Sequence, residues 1–365
     1  MLRIILGSIL LANVVRAAAS FTAIPLPECA ARFRNTNGWT GADGIASVAL
    51  EDGRTLWLFG DTWIGAIRDG RHQHATMVNN TVALEYGRDL ARDRLDFFWG
   101  RATNHQPAAI FVPVDGRGFF WPASGVAVNG RLFVFAQQIE RTGGTGTFAF
   151  RGVATWLLEV TNPAAPPPEW KTVQRKLPYG QFGNARHLAF GGAALRQAGW
   201  VYIFGCDEER GQGLPQKHAV VARAPETALA DFTRWQFWGR GAWQADADQI
   251  TRLFNHAADE YSVSWQPTIR KFVAICTPNG MNAAIHLRLA SALNGPWSEA
   301  TTIYCCPKVG QHEGVFYYAA KGHPELSATN ELLITYATNT GDFWYGAAHA
   351  DLYWPNCIRL RINVE

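Results

Sequence analysis

Five times along this 365-residue chain, a short strand of mostly small residues enters a tight turn and returns as a strand rich in aromatic and β-branched residues. The first unit is Ser47-Val48-Ala49-Leu50, the turn Glu51-Asp52-Gly53-Arg54, then Leu56-Trp57-Leu58-Phe59-Gly60-Asp61. The second is Gly125-Val126-Ala127-Val128, Asn129-Gly130, then Leu132-Phe133-Val134-Phe135-Ala136-Gln137. The third is Gly192-Ala193-Ala194-Leu195, a turn near Gly199, then Val201-Tyr202-Ile203-Phe204-Gly205-Cys206. The fourth is Ser262-Val263-Ser264-Trp265, a turn near Pro267, then Phe272-Val273-Ala274-Ile275-Cys276-Thr277. The fifth is His323-Pro324-Glu325-Leu326, a turn near Asn330, then Leu332-Leu333-Ile334-Thr335-Tyr336-Ala337-Thr338. Asn-Gly and Asp-Gly tolerate the positive φ that tight hairpins require. No helical period persists beyond a couple of turns, so strands must build the frame. The units lie about 55 to about 80 residues apart, leaving room for outer strands and loops in each. Five such units predict an all-β chain folded as a five-bladed β-propeller. A β-sandwich or two β domains are the alternatives.

Composition narrows the partners. Charged residues are 17% of the chain and apolar ones 48%. That charge content lies below the roughly 25% of an average soluble protein and excludes a long disordered polyelectrolyte. Lys and Arg number 33 against 30 Asp and Glu, with no basic stripe for nucleic acid. Arg3, the apolar run Ile4 to Val15 and Ala17-Ala18-Ala19 read as a secretory signal over residues 1–19. One domain over 20–365, secreted or periplasmic and monomeric, is expected to follow. No later segment approaches the roughly 20 apolar residues of a membrane span. Six cysteines include no CxxC pair, which argues against a zinc knuckle. A bridge between Cys29 and Cys357 would tie the ends of a closed ring, although connectivity is not fixed by sequence. The adjacent Cys305 and Cys306 cannot readily bond each other.

Residues at one register of each unit converge at one end of a propeller. Just past the second strand these are Asp61, Gln137, Cys206, Thr277 and Thr338, of which only the first is a carboxylate. Asp43 precedes the first strand of the same unit, so the hairpin returns the two acids to the same end. Paired carboxyl groups are what glycoside hydrolysis needs, one to protonate the leaving oxygen and one to activate water or attack. Their separation distinguishes retention from inversion, and the reading leans to inversion. The bland alternative gives Asp43 to a turn and Asp61 to a strand end.

Asn37-Gly38-Trp39-Thr40-Gly41-Ala42-Asp43-Gly44, followed by Asp52-Gly53-Arg54-Thr55-Leu56-Trp57-Leu58-Phe59-Gly60-Asp61-Thr62-Trp63, resembles the opening motif of a group of secreted five-bladed propellers. That group comprises glycoside hydrolase family 183, the endo-D-arabinanases, and related domains of unknown function. Asn79-Asn80, Trp121-Pro122, Phe190-Gly191-Gly192-Ala193, Ser264-Trp265 and His323-Pro324-Glu325-Leu326 extend the resemblance in order along the chain. It implies Asp43 and Asp61 as the catalytic pair and an arabinan-like furanoside as substrate.

Around that pair, Trp39, Trp63, Trp121 and Trp265 are expected to offer ring faces to sugars. Asn79, Asn80 and Gln137 are expected to bond hydroxyls, with Arg54 a weaker candidate. His187, His312 and Glu313 are expected to line the funnel, with Glu313 as the substitute acid. Asp259-Glu260 sits at a register near that of Asp43. Gly143-Gly144-Thr145-Gly146 lacks the lysine and helix start of a phosphate loop and reads as a flexible hairpin tip. No cofactor is expected. Related arabinanase propellers of another family hold a channel cation, which His323 could face, but no Asp-rich loop offers a calcium cage. A non-catalytic carbohydrate-binding propeller and a protein-interaction propeller are the rival functions.

Overall fold

The computed structural model describes residues 19–211, 215–308 and 314–364. The expected signal segment, apart from Ala19, and both His312 and Glu313 lie outside these residues. The chain is all-β, and its strands form five main antiparallel sheets.

The hairpins form where their turn residues allow. Asn129 and Gly130 both have positive φ, 54° and 72°, between the facing residues Val128 and Arg131. Ala198 and Gly199 repeat this arrangement between Gln197 and Trp200. Both are two-residue loops whose twist matches that of the flanking strands. The first sheet runs Ala46–Ala49, Thr55–Phe59, Thr81–Glu85 and Leu95–Phe98. The second runs Phe119–Val128, Arg131–Arg141, Phe150–Val160 and Thr172–Lys176. The Pro-rich stretch near Pro167 is an outer loop of that sheet. The third is built on Arg186–Gln197, Trp200–Glu209 and Gln216–Pro225. The fourth runs Tyr261–Gln266, Lys271–Cys276, Ala284–Ala290 and Thr301–Cys305.

The fifth sheet corrects the sequence reading. Its first strand is Val315–His323, upstream of the expected His323-Pro324-Glu325-Leu326 segment. Pro324 has no N–H to continue the ladder, and Pro324–Leu326 forms a 3₁₀ turn instead. The sheet continues through Glu331–Thr340 and Asn356–Val364 and is completed by Ala19–Pro25 from the other end of the chain. Ala19 faces Val364 and Pro25 faces Ile358 in that pairing. Cys29 and Cys357 are joined by a disulfide beside it, with Cα atoms 6.0 Å apart.

The strands Ala46–Ala49, Phe119–Val128, Arg186–Gln197, Tyr261–Gln266 and Val315–His323 contact one another in that order, and the last returns to the first. They surround a channel of about 560 Å³. Buried apolar side chains fall into five clusters, each drawn mainly from two sheets adjacent in this ring. A sheet buried on both faces has little use for charge, which accounts for the low charged fraction. Among the described residues no helix is long and apolar enough to cross a membrane.

Candidate active site

The first sheet brings two acids together through its backbone. Beyond the Ala46–Leu58 pair, Gly60 N–H donates to Asp43 O at 2.8 Å and Asp43 N–H to Asp61 O at 3.2 Å. Gly60 is required for this approach, because a Cβ there would lie 2.4 Å from Asp43 Oδ1. A side chain at position 60 would displace the carboxyl group it underlies.

Each carboxyl group is held by neutral donors from distant elements. Asp43 Oδ2 accepts from Tyr318 Oη at 2.6 Å and Tyr353 Oη at 2.7 Å. Tyr318 lies on the first strand of the fifth sheet, and Tyr353 ends the 3₁₀ turn Ala350–Tyr353. Asp61 Oδ1 accepts from Asn79 Nδ2 at 3.1 Å and Trp121 Nε1 at 2.9 Å. Three other buried carboxylates are paired with arginine: Glu159 with Arg131 and Arg175, Asp207 with Arg186 and Arg252, Glu85 with Arg32. Among the described residues, neither Asp43 nor Asp61 forms an ion pair.

The electrostatics separate the two acids. Burial pushes Asp43 up to about 8, the charge of Asp61 and then of Glu260 adds to this, and the two tyrosine hydroxyls oppose it. Burial also raises Asp61, but the Trp121 and Asn79 N–H groups and the Arg141 charge favour its ionised form. The arrangement therefore favours the proton on Asp43 over Asp61. Lys321, 2% exposed, donates to Gly44 O at 2.8 Å and to Glu260 Oε1 at 2.9 Å. It fixes the backbone next to Asp43 and partly neutralises Glu260.

The remaining expected residues divide. Asn79 and Trp121 reach the acid pair, as donors to Asp61 rather than as free groups. Trp39 is 2% exposed, stacks on Phe97 at 4.5 Å and donates to Thr81, so its expected sugar-facing role is corrected to core packing. Trp63 is likewise buried, between His72 and Phe343. Asn80 is buried and clamps the backbone of Phe111 and Phe120, leaving no group for a ligand. Gln137 donates to Phe190 O and accepts from Thr155, tying the second sheet to the third. His187 is buried against Phe182, with Asp259, Glu208 and Lys217 as its charged neighbours.

Trp265, 42% exposed, lies at the opposite end of the channel. Its strand starts at the acid end with Tyr261 and runs to the hairpin turn, which carries Trp265 away. Arg54 also sits in a hairpin turn at that end, bonded to Asp52 and Pro163 O. His323 has both ring nitrogens engaged, by Ser47 at 2.5 Å and Thr335 at 2.7 Å, so it does not offer the channel a free ligand. Among the described residues no cluster of three His, Cys, Asp or Glu side chains is placed to hold a metal ion. Tyr318, Tyr353 and Lys321 were not legible as site residues, because they lie 275 or more residues from Asp43 and Gly44, which they touch.

Residues 30–362 match the family described as Domain of unknown function (DUF5005). No curated protein matches the chain. Among solved structures, a candidate hydrolase from Bacteroides ovatus ATCC 8483 aligns with a TM-score of 0.74 at 17% identity, over 93% of this chain and 90% of that one. A thermostable family-43 glycoside hydrolase aligns with a TM-score of 0.50 at 14% identity, over 91% and 93%. At these identities the likeness is one of fold.

Proposed function

We propose that this chain, which belongs to the DUF5005 family, is a secreted, monomeric glycoside hydrolase built as a five-bladed β-propeller. Its substrate is a polysaccharide of the arabinan-like furanoside class. Asp43 is the general acid and Asp61 the base that activates water, or the nucleophile. No cofactor takes part.

The observation that carries this reading is the pair itself. Two partly buried acids are backbone-paired at one sheet end, held by tyrosine, tryptophan and asparagine where Glu85, Glu159 and Asp207 are held by arginine. Such a pair splits into a protonated and an ionised member, which is the division of labour that glycosidic cleavage requires. With Oδ2 of Asp43 occupied by two hydroxyl donors, Oδ1 is the atom that carries the proton to the leaving oxygen. Support for a carbohydrate substrate comes from the shared fold with a family-43 glycoside hydrolase. The arabinan assignment rests on the resemblance of the first-sheet motif. The five sheets and the ring of contacts between their first strands support the blade count.

The test is incubation with arabinans, xylans and galactans, followed by chromatography of the products and NMR of the released anomer. Oligosaccharides released from an arabinan support the assignment, and no release from any of them overturns it. The anomer distinguishes inversion from retention. The pH profile gives a second check. Loss of the Asp43 proton should set an alkaline limb on kcat near the raised pKa of about 8. Tyr318→Phe removes a hydroxyl that favours the ionised form, so that limb should move to higher pH. A limb that stays in place would remove Asp43 from the acid role.

A further inference from the structure

The acid pair is spanned by a hairpin from a sheet that carries neither acid. Strands Arg131–Arg141 and Phe150–Val160 of the second sheet are joined through a tip over residues 142–149. At the base of this hairpin, Phe150 meets Trp121 edge-on at 4.8 Å, and Trp121 donates to Asp61. The Arg141 guanidinium lies 5.8 Å from the Phe119 ring, close enough for its charge to act on Asp61. At the tip, Thr147 Oγ1 donates to Gly341 O at 2.7 Å and Phe148 lies 5.7 Å from Phe316, both partners in the fifth sheet or just after it. The first sheet lies between the second and the fifth in the ring, so the hairpin bridges the sheet that bears the acids.

A run of rings therefore connects one acid to the other. From Trp121 it passes to Phe150, then to Phe148 at 6.4 Å, to Phe316, and at 5.4 Å to Tyr318, which donates to Asp43. Both ends of this run are hydrogen-bonded to catalytic candidates. Its middle is open: Phe148 is 54% exposed and belongs to none of the buried clusters. Phe148 is thus an aromatic ring left half in water within a contiguous row that ends at both acids, where a ligand at the acid pair can cover it.

We propose that Phe148, backed by Phe316, is the stacking platform for a sugar ring beside the cleaved bond, carried to the acid pair by the 142–149 tip. The flat ring takes the apolar C–H face of the sugar and leaves its hydroxyls to polar groups. This inference rests on the glycoside hydrolase reading and names a binding residue for it outside the expected tryptophans.

The experiment compares wild type, Phe148→Ala, Phe148→Leu and Phe148→Tyr. The readouts are KM and kcat on arabinan, calorimetric affinity for an arabino-oligosaccharide, and melting temperature. Phe148→Ala should raise KM and weaken the oligosaccharide about 10-fold, with kcat within about twofold and an unchanged melting temperature. Phe148→Tyr, which keeps the flat face, should restore both. Phe148→Leu, which keeps apolar bulk without the face, should behave like Phe148→Ala and guards against a folding defect in the smaller variant. Unchanged KM and affinity in Phe148→Ala overturn the platform, as does a loss confined to kcat. A wild type that binds the oligosaccharide without cleaving it overturns the hydrolase reading, while affinity alone still decides the platform. A wild type that neither binds nor cleaves overturns both.

Discussion

Asp43→Asn and Asp61→Asn should each lower kcat on the polysaccharide by about 10²–10⁴-fold while the protein stays folded, because each removes a proton donor or acceptor at the reacting centre. Activity within about threefold of wild type in either variant would exclude that residue from the chemistry. The Asp43 variant carries a second signature that a structural carboxylate would not give. The folded protein holds the Asp43 proton up to about pH 8, whereas an exposed aspartate releases it near 3.8. Between these values the native state binds more protons than the unfolded state, so stability falls as pH rises through that window. Asp43→Asn cannot ionise and escapes the loss. It should therefore melt above the wild type at pH 8, and the difference should vanish as the pH approaches 4. Parallel melting curves across that range check this. A variant less stable than wild type at pH 8 would mean that Asp43 serves the fold.

Opening the Cys29–Cys357 bridge should cost about 2–5 kcal/mol of stability, towards the upper end, since the bond closes a loop spanning 328 positions of sequence. The bridge lies next to the pairing of Ala19–Pro25 with Asn356–Val364, the first and last described strands. Without it the unfolded chain regains the freedom of two distant ends, and the fifth sheet depends on strand pairing alone to retain its outer member. Chemical denaturation of Cys29→Ser against wild type measures the difference. A change below about 1 kcal/mol would show that the strand pairing closes the ring unaided. The acid pair is held by backbone hydrogen bonds between Asp43 and the Gly60–Asp61 segment and not by the bridge, so activity per folded molecule should hold.

The two predictions differ in how far they could be foreseen. Asp43 and Asp61 are 18 residues apart across one hairpin, and antiparallel pairing returns such residues to one sheet end whatever the rest of the chain does. Trp39 misled for a related reason. It precedes Asp43 in the same motif, but its strand Asn37–Ala42 shifts register between Trp39 and Gly41, and its ring enters the cluster between the fifth and first sheets. Trp265 misled because the direction of its strand carries it to the far end of the channel. Phe148 escaped notice because it follows a Gly-rich tip, and the hairpin pattern does not encode where such a tip docks.

The amino-acid sequence by itself determined what depends on neighbours along the chain: the strand alternation, the Asn-Gly and Ala-Gly turns, the order of the hairpins and the pairing of two acids at one end. The tertiary structure decided what depends on closing the ring. Closure brings Tyr318 and Tyr353 to Asp43, Trp121 to Asp61 and Lys321 to Gly44, and lays the hairpin of the second sheet across to the fifth. Local hydrogen bonding fixes the first set because a turn and its two strands specify each other. The second set follows from packing sheets whose contact residues are separated by tens to hundreds of positions, and only the folded ring places these side chains within reach.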